Sequence, residues 1–354
     1  MRILVPCAEL GLGIHMTTAI IGAGIAGLSA ARALAASGEP VTLFDKGRGP
    51  GGRMSTRRAE TPLGEVRWDH GAQFFTARSS GFQSVIVALR DAGALAAWHP
   101  GLADIRRRAA GWTVGVRPSD PSRETVFVGT PSMNAVIKAL AADQQVHWGR
   151  RVTGITMTGR QKVLIFEDGS QEGPYDTVVS ALPAEQAAAL LQEVSPELAL
   201  EAGQAVTAPC WTVMLAYDAA IPVSWDGANV SGGALSWIAR NSSKPGRGDV
   251  ESWVLHASPD WSREHVDLPP DAVIDILAGE FREMTGAGAP VFAAAHRWLY
   301  AKVDRAARSP FGWDDAKRIA TIGDWRSGPR VEAAWNSGEA FAAFFADVSE
   351  QLEV

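Results

Sequence analysis

The chain has 354 residues, 46% hydrophobic and 20% charged, which is long enough for two cores and excludes a disordered or fibrous chain. A net charge of −6 with no offsetting basic block argues against nucleic acid as the main partner. Cys7 and Cys210 are the only cysteines, too few for a disulfide framework or a cysteine metal site, so a reducing cytoplasm fits and no metal is expected. No apolar run is long enough to span a bilayer, so no membrane partner is expected.

Residues 1–15 carry one early arginine and a short apolar run that Glu9 interrupts, with no small-residue cleavage site. They read as an upstream start or loose extension ahead of Met16. A lipid-anchored Cys7 is the alternative, and Pro6 speaks against it.

The next stretch organises the chain. Ala19-Ile20-Ile21 predicts a buried strand, and Gly22-Ala23-Gly24-Ile25-Ala26-Gly27 is a full G-x-G-x-x-G. An alanine-rich helix over 25–37 follows, closed by Gly38, and then a second strand, Val41–Phe44, ending on Asp45. Gly22 permits the tight turn, Gly24 lets a pyrophosphate approach the backbone, and Gly27 lets the helix pack on the strand. The helix N-terminus offers free N–H groups and a positive dipole end to the phosphates. Asp45 stands where an acid accepts hydrogen bonds from an adenosine ribose.

Residues 46–55, KGRGPGGRMS, hold glycine at a density that means tight turns or backbone beside a ligand. Arg48 and Arg53 carry guanidinium forks suited to phosphate. Residues 66–75 alternate like a strand and turn at Gly71; His70 there reads as packing. Ser80–Gly93 predicts an amphipathic helix, 94–128 short strands around a Pro-Ser-Asp-Pro turn, and Ser132–Ala142 a helix. Residues 145–166 read as strands broken at Gly154 and Gly159, and Asp168-Gly169 as a hairpin turn. Tyr175–Leu182 reads as a buried strand, and a helix starts at Glu185. From about 205 to 305 the chain is strand-rich, with one helix at Pro270–Thr285.

The two ends of the chain carry a family resemblance. Arg48-Gly49-Pro50-Gly51-Gly52-Arg53, Asp69–Phe75 (DHGAQFF), Ile319–Trp325 (IATIGDW) and Arg330–Ala340 (RVEAAWNSGEA) resemble the motifs of the amine-oxidase superfamily of FAD enzymes. Ala333 replaces that pattern's glycine. The middle segments, such as Trp237–Pro245, Trp253–Ser258 and His296–Ala301, resemble the bacterial renalase-like branch.

The resemblance implies an α/β fold of two domains. A discontinuous Rossmann-type FAD-binding domain takes 16–76, 128–185 and 308–354, and a mixed β-sheet and helix substrate domain takes 77–127 and 186–307. Ligands in such folds lie outside the carboxyl ends of the parallel strands. The implied cofactor contacts are Gly22, Gly24, Ile25, Ala26, Gly27, Asp45, Lys46, Gly52, Arg53, Met54, Gly71, Ala72, Gln73, Val152, Gly323, Asp324, Arg330, Val331 and Glu332. With no cysteine after Cys210, the FAD is expected to be non-covalent.

The chain has no C-x-x-C, H-E-x-x-H or G-x-S-x-G motif, and its seven histidines are scattered. A flavin supplies the hard chemistry itself, and an electron-rich dihydropyridine loses hydride without a protein base. The renalase-like resemblance implies oxidation of 6- or 2-dihydroNAD(P) by hydride transfer to flavin N5, with O2 as acceptor giving H2O2. The expected catalytic group is His256, His296, Trp298 and Tyr300, and Arg240, Asn241 and Arg297 are expected to bind the substrate. Lys244 and Arg247 divide evenly between a substrate pyrophosphate and a solvated loop; Trp237, Trp253 and Trp261 read singly as core. An amine or polyamine oxidase, or a flavin-binding protein without turnover, is the alternative. The dihydronicotinamide isomer, NAD against NADP, and the oligomeric state stay open.

Overall fold

A computed structural model describes residues 16–120 and 122–352; the readings made for residues 1–15, including Cys7, fall outside them. The chain opens with β1 (Thr18–Ile21), α1 (Ile25–Ala36), β2 (Val41–Asp45), β3 (Arg57–Thr61), β4 (Gly64–Trp68), α2 (Ser80–Asp91) and β5 (Leu95–Trp98). It continues through β6 (Leu102–Arg108), β7 (Gly111–Val116), β8 (Val126–Gly129), α3 (Asn134–Ala141), β9 (Val146–Trp148), β10 (Val152–Thr158), β11 (Gln161–Phe166), β12 (Gln171–Tyr175) and β13 (Thr177–Ser180). Then come α4 (Ala184–Leu191), α5 (Pro196–Gln204), β14 (Val206–Tyr217), β15 (Gly227–Ser231), β16 (Leu235–Arg240) and β17 (Glu251–Ala257). The last elements are α6 (Pro259–Glu264), α7 (Pro270–Thr285), β18 (Phe292–Arg305), β19 (Gly312–Asp314), β20 (Ile319–Thr321) and α8 (Val331–Leu352).

Two sheets matter for the site. The first has the order β19-β20-β13-β1-β2-β9 and is parallel except at β19. Its central strand β1 is buried along its whole length, as expected of a parallel strand covered on both faces. On one face, α1, α3 and α8 pack around Leu28, Ile137 and Phe341; on the other, the β10-β11-β12 sheet packs Ile155, Leu164 and Phe166 against Ile21 and Phe44. A side chain at Gly338 of α8 would run into the backbone of α1 at Ala26 and Ala30, so glycine there sets how closely the two helices pack.

The second sheet has the order β18-β14-β17-β16-β15-β6-β7 and is antiparallel except between β15 and β6. α7 covers one of its faces. Val273, Leu277 and Phe281 repeat at helical spacing and are fully buried against Trp253, Leu255 and Ile238. Each such side chain stabilises by about 1.5–3 kcal/mol. Proline at the start of α7 and Gly286, in the left-handed region at φ 70°, mark its ends. The other face packs against the β3–β4 hairpin and the 69–75 loop that follows it, and there the chemistry gathers.

Local expectations meet three corrections. Gly154 does not end a strand: β10 runs through it with a register shift, and the turn falls at Gly159. α6 and α5 were not foreseen; each begins with a proline at its first turn, a start signal overlooked at Ser258-Pro259 and Ser195-Pro196.

Candidate active site

At the first sheet, α1 leaves β1 through Gly22, whose φ is 106°. A Cβ at Gly27 would overlap the Gly22 carbonyl oxygen, so only glycine allows this packing. Gly24 caps α1 without a side-chain bond, and a Cβ built on it would meet nothing within 4 Å. As the first residues of α1, Ile25, Ala26 and Gly27 have amides with no intrahelical partner. Gly52 stands across from Gly24, its would-be Cβ 3.9 Å from the Gly24 Cα. Asp45 accepts from Ala23 N at 2.8 Å through Oδ2 and from Gly47 N at 2.7 Å through Oδ1. Each oxygen keeps a lone pair for a hydroxyl. Lys46 reaches Gln186 at 3.4 Å, Met54 is buried, and Val152 opens β10 beside the Phe166 cluster.

Two cofactor candidates prove to be tied to protein groups. Arg53 forks onto Asp324, Nη1 to Oδ2 at 2.7 Å and Nη2 to Oδ1 at 2.5 Å. It therefore orients Asp324 rather than standing free for phosphate. The Gln73 side chain is buried, accepts from Lys244 Nζ at 3.1 Å and donates to the carbonyls of Asp69 and Gly71. Gly71 and Ala72 lie directly on Arg53, with Ala72 N donating to its carbonyl at 2.9 Å. Gly323 N donates to Ser337 Oγ of α8 at 2.9 Å. Ahead of α8, Arg330 is exposed; Val331 opens the helix. Glu332 is buried, with Oε1 accepting from Arg78 N and Ser79 N at 2.7 and 2.6 Å and Oε2 without a partner.

The second sheet supplies the opposite wall. Strand alternation sends every other residue to one face. Register pairs His296 with Thr212, Thr212 with His256, His256 with Trp237, Trp237 with Asn229, and Asn229 with Asp104. These residues form a row across one face from β18 to β6. At one end, the rings of His70, His296 and Trp298 meet at centroid distances of 4.5–5.0 Å. Trp298 Nε1 donates to the His70 carbonyl at 3.0 Å, and His256 Nε2 lies 3.3 Å from the same oxygen. Tyr300 follows where the β14–β18 pairing skips.

The imidazoles are neutral. Burial first, then His296, His256 and Arg57, push His70 down to about 3. Burial, with Lys244 nearby, lowers His256 to about 4, and burial with Arg57 also lowers His296. Behind them lies a buried charge cluster. Asp69 accepts from Lys244 Nζ at 3.3 Å, Arg247 Nη2 at 2.5 Å, Thr56 Oγ1 at 3.0 Å and Met133 N at 2.9 Å. Burial alone would raise the Asp69 carboxyl, but the two cations hold it below the ordinary value. Burial brings Lys244 down to about 8.

The same alternation turns two of the three expected substrate contacts, Arg240 and Arg297, away from the site face, and burial ties up the third. Arg240 lies on the α7 face, over the Trp253 ring, donating to the Ile221 carbonyl at 2.8 Å and pairing with Glu251. Arg297 pairs with Trp211 on that same face, stacks on its ring and bonds the Val266 carbonyl. Asn241 is fully buried and holds the Asp69 amide and Arg67 carbonyl. Lys244 and Arg247 are neither solvated nor free for a pyrophosphate. Trp253 is core and Trp261 stacks on His265, whereas Trp237 stays on the site face. Sequence reasoning missed His70 and Thr212. The signal for His70 was its place between Asp69 and Gly71 in the family-like motif; Thr212 carried none.

A family model described as flavin containing amine oxidoreductase matches residues 108–342, about two-thirds of the chain. The chain belongs to the flavin containing amine oxidoreductase family. An NAD(P)-binding Rossmann-like domain model matches residues 20–88. The fold is shared with a putative protoporphyrinogen oxidase from Exiguobacterium sp. 255-15 at 13% identity and TM-score 0.73, covering 94% of this chain and 99% of that one. Cyclohexylamine oxidase from Brevibacterium oxydans IH-35A matches at 12% identity and TM-score 0.72, covering 95% and 100%. A putrescine oxidase crystallised with putrescine matches at 12% and 0.70, covering 94% and 99%.

The protein is a flavin oxidoreductase with an α/β fold of Rossmann-like and substrate domains, and its cofactor is FAD. The residues present fit that group. The Gly24–Gly52 opening, the uncapped α1 amides, the lone pairs of Asp45 and the orphaned Glu332 Oε2 each offer what a dinucleotide needs. Among the described residues, no His, Cys, Asp or Glu cluster could hold a metal, and no helix is long and apolar enough to cross a membrane.

Proposed function

We propose that this flavin oxidoreductase oxidises dihydronicotinamide dinucleotides, the 6- or 2-isomers, with O2 as the final acceptor. The observation that carries the reading is the charge of the site. Along the row from His296 to Trp237 no carboxylate appears, and the first one beyond, Asp104, is taken by Arg117. Nearby charges are cationic: Arg57 acts on His70 and His296, and the Asp69 cluster carries two cations for one anion. Such a surface favours a polyanion and disfavours a protonated amine.

Chemistry agrees with electrostatics. When bound, the flavin supplies hydride acceptance and reoxidation by O2. The protein is then left to position a flat ring. Trp298 and the imidazoles offer aromatic surface for that, and no general base with a pKa near 7 is needed. Non-covalent binding of the FAD belongs to the same proposal: the partly buried Cys210 thiol is pushed up to about 12 by desolvation, and so is a poor nucleophile.

The second reading is an amine or polyamine oxidase, which the family and its amine-oxidising structural neighbours favour. Anaerobic mixing of the purified yellow protein with each donor separates the two. The proposal expects a 6- or 2-dihydronicotinamide dinucleotide to bleach the flavin on the ordinary enzyme scale of ~1–10³ per second. Faster bleaching by benzylamine or spermine would install the amine reading instead.

A further inference from the structure

With Arg240 and Arg297 turned away, the site face still has a basic feature further along the same row. Beyond Trp237 and Asn229 lies a groove of about 420 Å³, lined by Asp104, Arg106, Arg108, Asn229, Ser231 and Gly232 among others. Register places it. Asp104 pairs with Asn229 and Arg106 with Ser231, so Asp104, Arg106 and Asn229 share the face of Trp237 and His256. Arg107 lines the groove as well, with its guanidinium over the Trp112 ring. The Arg117 fork neutralises Asp104. Among the described residues, Arg106 and Arg108 have no ion-pair partner and both are exposed.

We propose that this groove binds the phosphate-bearing, distal half of the dinucleotide substrate, with its dihydropyridine held at His256 of β17. The inference rests on the dihydronicotinamide reading above. Three strand spacings separate β17 from β6, about 14 Å, a distance that an extended dinucleotide covers but a mononucleotide does not. Between the two ends stands Trp237, whose Nε1 is buried without a partner, a donor a ligand on this path would satisfy. Its ring lies over Gly227, where a Cβ would come within about 3.0 Å of it, so glycine there makes room for the indole on this face. Guanidinium forks suit phosphate oxygens, and two unpaired ones side by side suit a pyrophosphate or a ribose phosphate.

The test is anaerobic flavin reduction by the R106A/R108A double variant, compared with wild type. Two donors are used: the dihydronicotinamide dinucleotide isomer that reduces wild type best, and the matching mononucleotide. The expected result is a dissociation constant for the dinucleotide raised about 10- to 100-fold, at an unchanged limiting rate. With the mononucleotide the double variant should behave as wild type. An R106K/R108K variant, keeping charge but not the fork, should recover part of the loss. If wild type is reduced by the dinucleotide and the double variant binds it equally well, the groove assignment is overturned while the functional reading stands. If no dihydronicotinamide reduces wild type, the functional reading fails and takes the groove assignment with it.

Discussion

The two faces of the seven-stranded sheet are built from the same strands and carry opposite jobs. Toward α7 the strands present Trp253, Leu255, Val213 and Ile238, and even the arginines there, Arg240 and Arg297, lie flat on tryptophan rings with carbonyls and carboxylates for partners. Toward the nucleotide-binding sheet the neighbouring residues are His256, Thr212, His296, Trp237 and Asn229. One residue of register separates a structural arginine from a site residue. Polarity and aromatic context do not tell the faces apart; parity along the strand does.

The largest effect that would test this division lies at Asp69, where the site face rests on the buried ion cluster. Asp69→Ala would strand Lys244 and Arg247 as uncompensated buried charges. Breaking a buried pair this way costs about 3–5 kcal/mol. Denaturant unfolding should show a loss of that size, and an unchanged midpoint would mean the cluster is not what anchors the Asp69–Gln73 loop.

Next in size is the cofactor end. Asp45→Ala removes the acceptor that faces the expected ribose, a charge-assisted hydrogen bond worth about 1.5–3 kcal/mol. FAD affinity, read by fluorescence titration of the apoprotein, should fall about 10- to 100-fold. Equal affinity would take Asp45 off the list of ribose contacts.

The nucleotide-binding half was the more legible one in the sequence, because its signals are local. Gly22 to Asp45 is one uninterrupted strand–turn–helix–strand, and each glycine there answers a contact a few residues away. Helices α2 and α7 follow from periodicity and end residues for the same reason. The substrate wall is non-local. His70 meets His296 across 226 positions and Lys244 meets Asp69 across 175. No window of sequence contains such a pair, and strand parity in β16 and β18 depends on bulges that composition does not announce. That is why the arginines of these strands read as substrate contacts and the true partners of Asp69 read as half-solvated.

A smaller effect sharpens the comparison directly. Arg240→Ala and Arg297→Ala should leave donor affinity unchanged, since both side chains lie on the α7 face. Arg240→Ala should still lower stability by about 1 kcal/mol through its lost carbonyl bonds and Glu251 pair. A clear loss of donor affinity in either variant, with the flavin spectrum native, would break the assignment of faces.

The smallest expected effect is none at all, and it bears on the chemistry. His70, His256 and His296 are all lowered from 6.5, and Lys244 is brought down only to about 8, so between about pH 6.5 and 7.5 the imidazoles stay mainly neutral and the lysine mainly charged. The limiting rate of flavin reduction by a dihydronicotinamide should therefore be flat across that window. An amine donor must first lose its proton, and its apparent rate should climb about tenfold over the same unit. Stability should behave differently from rate. Unfolded histidines bind protons near 6.5, whereas the folded His70 and His256 do so only at about 3 and 4. Their contribution is complete above 6.5 and is lost as pH falls through 6.5 toward those folded values, because the unfolded state then binds more protons. Thermal melts from pH 7.5 down to about 5 should decline only as pH falls through about 6.5. A rate that tracks the histidine range instead would mean one of these imidazoles carries a proton in the reaction.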